Sequence, residues 1–598
     1  MHIYQHPDNL VILCEDAVKK FSGNKLFGTK NSTGEYEWIT YKQFGERVNR
    51  LRAGMAGLGI GKGDMVGSLI RNSVEWAQIA FAAYGLGAHY VPLYENESQS
   101  TIKYIINDCK IKILFIADLE LKESIKGIFS DTPSLSHLYI IRGDGDYSLK
   151  ELEMLGGLNP VEAIHPTPYD MAGIIYTSGT TADPKGVMLT HGNFTACAMS
   201  GYHIFPELEE TSVSLSILPW AHSYGQSAEL YNWFLFGGSI GFASSVDTIA
   251  EDILKVKPTF LIAVPRIFNK IYDGLHLKMM EEGGIGEKLF RRSKKVARKK
   301  RQLAEKGKQS ALVNFKYKFY DKIVFSKIRE KLGGNIQGSL TASATMNIDI
   351  AQFFFDIGIP VYDCYGLTET APAVTMNCAA AYRLGTVGKP VENVKVVIDK
   401  SVVEEGAEDG EIIIYGPNIM MGYYNKPEET ARVLMPDGGF RSGDRGRLDE
   451  DGYLIITGRI KEQYKLLNGK YVFPAVIEED IKLLPYIKNA MIFGDGKAYN
   501  ICIAVPDTDL LKRYAKEFRL ITETQELLKN STVQDFMSHE IKKHLEKKFK
   551  HYEIPKKFFY INDDFTLDNG LLTQTLKLKR RSVISRYQYI IDDLYTRF

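Results

Sequence analysis

Cysteine is scarce and scattered: Cys14, Cys109, Cys197, Cys364, Cys378 and Cys502 form no CxxC pair and no metal-ligand spacing. That excludes a disulfide scaffold and a zinc ribbon, and in a chain of 598 residues the six read as reduced thiols of an intracellular protein. No apolar run approaches the roughly 18–20 residues that a membrane span needs. The N-terminal stretch MHIYQHPDNLVILCEDAVKKF lacks a basic segment leading into a long apolar one, so no signal peptide is expected. A cytoplasmic location follows, with any membrane contact made peripherally, at the inner face. An excess of one charge is missing too: 74 basic against 73 acidic side chains leave a net charge of +1. A dedicated nucleic-acid binder would need a dominant basic field, so that class is excluded. Internal repeats and low-complexity segments are also absent.

What is present is an ordinary globular composition, 44% hydrophobic and 25% charged. The first half alternates helical and strand-like patterns. VNRLRAGMAGLGIGKGD (48–64) and EWAQIAFAAYGLGA (75–88) have helical spacing, and MVGSLI (65–70) between them reads as a strand. KILFIA (112–117), LYIIRG (138–143), AGIIYT (172–177), VSLSILP (213–219) and TFLIAVP (259–265) are short apolar runs of the buried-strand type. Such alternation predicts an α/β protein with layered, mostly parallel sheets covered by helices. From about 385, GTVGKPVENVKVVID, GEIIIYGP and GYLIITGRIKE predict a β-rich module of hairpins. The pattern then restarts as a small α+β domain. The expected division is 1–459 and 460–598, with a basic, helical, mobile or surface excursion over 284–332.

The strongest local signal is IIYTSGTTADPKGVMLTHGNF (174–194). An apolar strand runs into small and hydroxylated residues, then proline, lysine and glycine. Glycine lets a ligand approach the backbone, free N–H groups and hydroxyls can surround phosphate oxygens, and Lys185 supplies positive charge. The G-K-[ST] ending of a Walker A loop is absent.

YTSGTTADPKG resembles the phosphate-binding signature of the AMP-forming acyl-CoA synthetase superfamily, with Ala182 where that family usually has Gly. Further signatures follow in the family's order over nearly the whole chain. The resemblance implies that Thr177, Ser178, Gly179, Thr180, Thr181 and Lys185 bind the nucleotide phosphates. In YDCYGLTET (362–370), it implies that Tyr365 stacks on adenine, Asp363 belongs to the same nucleotide site and Thr368 contacts the α-phosphate. Glu369, with Thr180, would hold Mg²⁺. In FRSGDRG (440–446), Asp444 matches the acid that accepts both ribose hydroxyls. In the following GRIKE, Arg459 matches the arginine near ribose and phosphates, and Lys461 the hinge of a mobile small domain. In LLTQTLKLKRRSV (571–583), Lys577 and Arg580 preserve the Lys-x-x-Arg context of the late catalytic lysine, with Gln574 where relatives often carry proline. Without that company, KLKRR would read as a solvated basic strand or tail. LPWAHSYGQ (218–226) resembles the loop that places a histidine, here His222, near the acyl pocket. A buried structural role and a direct catalytic one are both open for it.

These parts imply a two-step reaction. A carboxylate displaces pyrophosphate from ATP to give an acyl-adenylate, with Lys577 bridging carboxylate and α-phosphate, and the thiol of coenzyme A then releases AMP. The excursion, together with KLLNGKYVFPAVIE after the hinge, resembles the long-chain fatty-acid branch. Transfer to an acyl carrier protein, or use of another carboxylate, is the rival reading. RRSKKVARKKR (291–301) holds eight basic residues in eleven. It reads either as a solvated helix face or as a site of attraction to anionic lipid head groups.

Overall fold

A computed structural model describes the chain apart from residues 1–5, 178–183, 246, 344–345, 461, 485, 518–523, 568, 574–576 and 597–598. Contacts divide it into two compact units. One comprises residues 1–397, 413–442 and 450–454, the other 398–412, 443–449 and 455–598. The division therefore falls within the β-rich module, where Lys395–Asp399, Gly410–Tyr415, Phe440–Leu448 and Leu454–Arg459 form a four-stranded sheet.

The first unit is built on two large sheets. The seven-stranded sheet runs in the order Gly422–Tyr423, Lys185–Thr190, Met171–Thr177, His89–Leu93, Met65–Leu69, Ile111–Ile116, His137–Ile140. Its last five strands are parallel, and Lys185–Thr190 turns back antiparallel on Met171–Thr177. MVGSL is buried at every residue, as a strand covered on both faces must be. Gly173 is required at the sheet centre, since a Cβ there would lie 2.2 Å from the Tyr90 carbonyl oxygen. Val74–Tyr84 covers this sheet with a helix that is buried at nearly every position, and the Ser73 side chain caps it by accepting from the Trp76 N–H.

The nine-stranded sheet has Val213–Ser216, Ser239–Phe242, Phe260–Ala263, Gly338–Thr341 and Val361–Gly366 at its parallel centre. An aromatic core formed by Phe27, Phe44, Trp76, Phe81, Trp220 and Phe234 lies beside it, with Trp76 and Trp220 edge to face at 5.5 Å between centroids. Rings of this size dominate burial, so the loop carrying Trp220 is fixed from below.

The 284–332 segment is helical: Gly284–Glu305, Ala311–Tyr320 and Ser326–Lys331, with a π-turn at Asp321–Phe325. It is tied down on one face. Phe290, Ser293 and Ala297 are buried at helical spacing, and Arg301 pairs with Asp356 at 3.1 Å and donates to Gln352.

The second unit contains a three-stranded sheet in the order Ile487–Phe493, Ile501–Pro506, Lys557–Tyr560, the first pair antiparallel and the second parallel. Helices Pro474–Ile481 and Ser531–Leu545 close its core around Ile492, Cys502 and Ala504. Among the described residues no helix is long and apolar enough to cross a membrane.

Candidate active site

Strand Met171–Thr177 ends at the loop singled out by sequence, and Thr177 is paired in register with Lys185 on the returning strand. The two residues therefore mark the base of the loop. Ser178, Gly179, Thr180 and Thr181 lie outside the described residues. The Lys185 ammonium is held by the Glu429 carboxylate and sits 5.0 Å from the centroid of the Tyr423 ring.

Tyr423 links two parts of the site. Its hydroxyl donates to Glu369 Oε1 at 2.8 Å, and burial beside that carboxylate drives the phenol far above its usual range. Lys185, Tyr423 and Glu369 thus form one chain of contacts. Glu369 is further fixed through its carbonyl, which accepts the Met420 N–H at 2.9 Å. Tyr423 was not foreseen from sequence, because it belongs to a two-residue strand, Gly422–Tyr423, too short to leave a pattern.

The strand Val361–Gly366 carries Asp363 and the half-buried Tyr365, and a short 3₁₀ turn, Thr368–Thr370, follows it. Thr368 is buried. Its Oγ1 accepts a 3.4 Å bond from Ser223, and Ser227 donates to the Ala371 carbonyl at 2.6 Å. These two bonds seat the 218–226 loop against the turn, so His222 is brought to the neighbourhood of Thr368 and Glu369. The His222 ring is half-buried, and its Nδ1 accepts the Tyr224 N–H at 3.1 Å.

Behind the loop lies a carboxylate that the sequence does not announce. Glu229 is buried and receives three neutral donors: Ser214 at 2.6 Å, Ser216 at 2.5 Å and the Trp220 indole at 2.8 Å. Burial pushes its pKa above the usual carboxylate range, and the three hydrogen bonds oppose that. Asn72 completes the network, donating to Ser216 and to the Leu218 carbonyl and accepting the Trp220 N–H.

In the second unit, Asp444 is buried on Phe440–Leu448, and Oδ1 meets Arg459 Nε at 2.9 Å. The next strand supplies that arginine, which is half exposed. Lys461 lies outside the described residues, as does Gln574. Lys577 is exposed and paired with Thr573: the Thr573 N–H donates to its carbonyl at 2.8 Å, and its own N–H donates to Thr573 Oγ1 at 3.1 Å. Of the KLKRR run, Arg580 turns inward. Its guanidinium forks onto Glu478 with two 2.6 Å contacts and donates to the Ile492 carbonyl at 3.0 Å. The segment that carries Lys577 is thereby anchored at Arg580 to the core of its unit.

The donor chemistry fits Mg²⁺ held through few protein ligands. Glu369 offers a hard carboxylate, while no group of three or more His, Cys, Asp or Glu among the described residues could form a cage by itself. Magnesium characteristically takes one or two carboxylates and completes its shell with water and substrate phosphates.

Comparison with known proteins gives a consistent result. A family model described as AMP-binding enzyme matches residues 14–424, and one described as AMP-binding enzyme C-terminal domain matches 461–598. Fatty acyl-CoA synthetase A of Dictyostelium discoideum is 30% identical, covering 98% of this chain and 90% of its own. The peroxisomal long chain acyl-CoA synthetase 7 of Arabidopsis thaliana is 29% identical over 97% and 85%. The A domain of a carboxylic acid reductase from Segniliparus rugosus, solved with AMP and a carboxylic acid, superposes with a TM-score of 0.78 at 20% identity, over 98% of this chain and 94% of that one. The anthranilate CoA ligase AuaEII, solved with anthranoyl-AMP, gives a TM-score of 0.75 at 18% identity over 98% and 99%. At these identities the structural likeness establishes a shared fold.

Proposed function

The chain belongs to the AMP-binding enzyme family, and from that membership we propose that it is a long-chain fatty-acid–CoA ligase. It joins a fatty acid to coenzyme A at the expense of ATP, through an acyl-adenylate, and releases pyrophosphate and AMP. The observation that carries this reading is the near-full-length similarity to curated long-chain acyl-CoA synthetases. The family-model matches over 14–424 and 461–598 support a division into a large adenylating domain, 1–459, and a small domain, 460–598, turning at Lys461.

A carboxylate resists attack by a thiol because its leaving group would be oxide. Exchange of that oxygen for adenylate solves the problem: a carboxylate oxygen bonds to the α-phosphorus as the bond to pyrophosphate breaks. This chemistry asks for positioning and charge neutralisation rather than covalent help. Thr177, the loop from Ser178 to Thr181, and Lys185 would take the phosphates. To do so, Lys185 must exchange its contact with Glu429 for phosphate oxygens. Glu369, with Thr180, would hold Mg²⁺, which supplies positive charge against the phosphates. Tyr365 offers an aromatic face and Asp363 a polar edge to adenine, and Asp444 and Arg459 would take the ribose. Lys577 would carry charge to the carboxylate and α-phosphate, while Thr368 contacts that phosphate and His222 shapes the acyl side. In the second step the thiol sulfur bonds to the acyl carbon and AMP leaves, so no cysteine of the chain is consumed. The basic run at 291–301 supports peripheral contact with an anionic membrane, where such acids partition.

The test is AMP and acyl-thioester formation across carboxylates from acetate to stearate, with an aryl acid included. Free coenzyme A and acyl carrier protein are each offered as acceptor. Turnover is expected to peak at long chains with coenzyme A. A maximum at short or aryl acids would overturn the substrate assignment, and preference for the carrier protein would overturn the acceptor.

A further inference from the structure

Between residues 288 and 320 the sequence holds thirteen basic residues and one acid, Glu305. Two of the cations turn inward: Arg301 pairs with Asp356, and Lys294 lies over the rings of Tyr272, Phe290 and Phe353 beside His276. Arg292, Lys295, Arg298, Lys299 and Lys316 are exposed. The outer face of this segment is therefore strongly of one sign.

The same face is apolar where it should not be. On the helix Ala311–Tyr320, Leu312, Phe315 and Phe319 fall at i, i+3 and i+7, and they are 62%, 72% and 54% exposed. Apolar side chains aligned on one stripe and left this open mark a contact surface. A groove of about 460 Å³ runs between this helix and Gly284–Glu305. Phe315, Phe319 and Val296 form its apolar lining, and Arg292, Lys295 and Lys316 border it. Lys300, 3.6 Å from the centroid of the Tyr317 ring, joins the two helices.

We propose that this face docks the enzyme on an anionic lipid bilayer. Leu312, Phe315 and Phe319 enter the boundary between head groups and acyl chains, and Arg292, Lys295 and Lys316 engage lipid phosphates. The geometry is that of a helix lying in the interface plane, with an apolar stripe below and long cations reaching to head-group level. A bilayer fits better than a nucleic acid, because Leu312 adds apolar area but no face on which a base could stack. The idea rests on the fatty-acid reading for its purpose, since the substrate would be collected where it dissolves, but the docking itself does not require turnover.

The full-length protein is sedimented with vesicles of phosphatidylcholine alone or mixed with phosphatidylglycerol, over a range of salt. Binding is expected on the anionic vesicles and should weaken with salt. Each surface cation contributes about fivefold, so the triple variant R292Q/K295Q/K316Q should lower partitioning on the order of a hundredfold. Phe315→Ser with Phe319→Ser should remove the part of binding that survives high salt. Phe315→Trp should gain emission quenched by brominated lipid, relative to the parent. Equal binding to neutral and anionic vesicles, unchanged binding of both multiple variants, or an unquenched indole would each overturn the proposal. So would RNA binding that the triple variant loses while vesicle binding stays unchanged. Ligase turnover without vesicles should be the same in every variant. A protein that binds vesicles but forms no acyl-CoA would sink the ligase reading alone, and an active ligase indifferent to vesicles would sink the docking alone.

Discussion

Asp363 shows how much one carboxyl depends on its surroundings. Its Oδ2 accepts the Met346 N–H at 3.3 Å, while Oδ1 is shut off from water and finds no hydrogen-bond partner among the described residues. Burial pushes the group up to about 8. Protonated at neutral pH, it is an O–H donor beside an acceptor, the pattern that the proposed contact with adenine's amino group and ring nitrogen would use. The unfolded chain ionises the same group near ~3.9. Between these values the folded state binds the extra proton, so this group's contribution to stability falls as pH rises and is fully lost above about pH 8. Asp363→Asn fixes the neutral form. Thermal melting across about pH 5 to 8 should therefore decline less steeply in the variant than in the parent, with the KM for ATP little changed. Parallel decline would mean that Asp363 is ionised in the fold.

Among the elements, the 218–226 loop owes its position to a residue outside it. Glu229 binds Ser214 and Ser216 of one strand and Trp220 of the loop, while Ser223 and Ser227 tie the same segment to Thr368 and Ala371. Glu229→Ala would strand three buried donors and should cost more than about 2 kcal/mol. Glu229→Gln can keep an acceptor for the indole while the Ser214 hydroxyl rotates to accept, so it should cost much less. Denaturant midpoints check the order, and kcat for adenylate formation should fall with Ala as the His222 loop loses its support. Equal loss in both variants would mean that the loop requires the carboxylate itself, since Gln preserves both its volume and an acceptor.

Much at this scale was legible beforehand. Apolar runs such as KILFIA and AGIIYT became buried strands because burial on both faces leaves only one pattern. The contacts that were not legible join distant segments. Glu229 in an apolar helical stretch looks like any surface acid until Ser214, Ser216 and the Trp220 indole converge on it. Lys185 meets a glutamate at 429, and Arg580 in a basic run forks onto Glu478, which burial of both groups makes far from a solvated pair. Composition and spacing report periodicity along the chain. Partner choice across it depends on the tertiary fold.

For the whole molecule, the proposed roles are divided between the two compact units. Lys185, Asp363, Thr368 and Glu369 belong to the first, and Asp444, Arg459 and Lys577 to the second. Lys577 is proposed to serve adenylation only, since the thioester step replaces phosphate chemistry with attack on an activated carbonyl. Lys577→Ala should thus depress pyrophosphate release from ATP and fatty acid by on the order of a hundredfold or more, as loss of a charge-stabilising donor does. Thioester formation from supplied acyl-adenylate should be largely spared. Equal loss in both steps would remove the lysine from its assigned place. Arg580, locked to the core behind it, is not expected to discriminate between the steps.

The six cysteines are all free and all buried. Burial pushes the Cys109 and Cys197 thiols up to about 12, and Cys14 and Cys502 well above their usual range. Thiolate is the reactive form, so Cys14, Cys109, Cys197 and Cys502 react little with maleimides and iodoacetamides while the chain is folded. A single cysteine introduced on the exposed surface of either unit would consequently outcompete these four for a fluorophore or spin label. Inter-unit distances could then be read through the catalytic cycle in an otherwise unaltered enzyme.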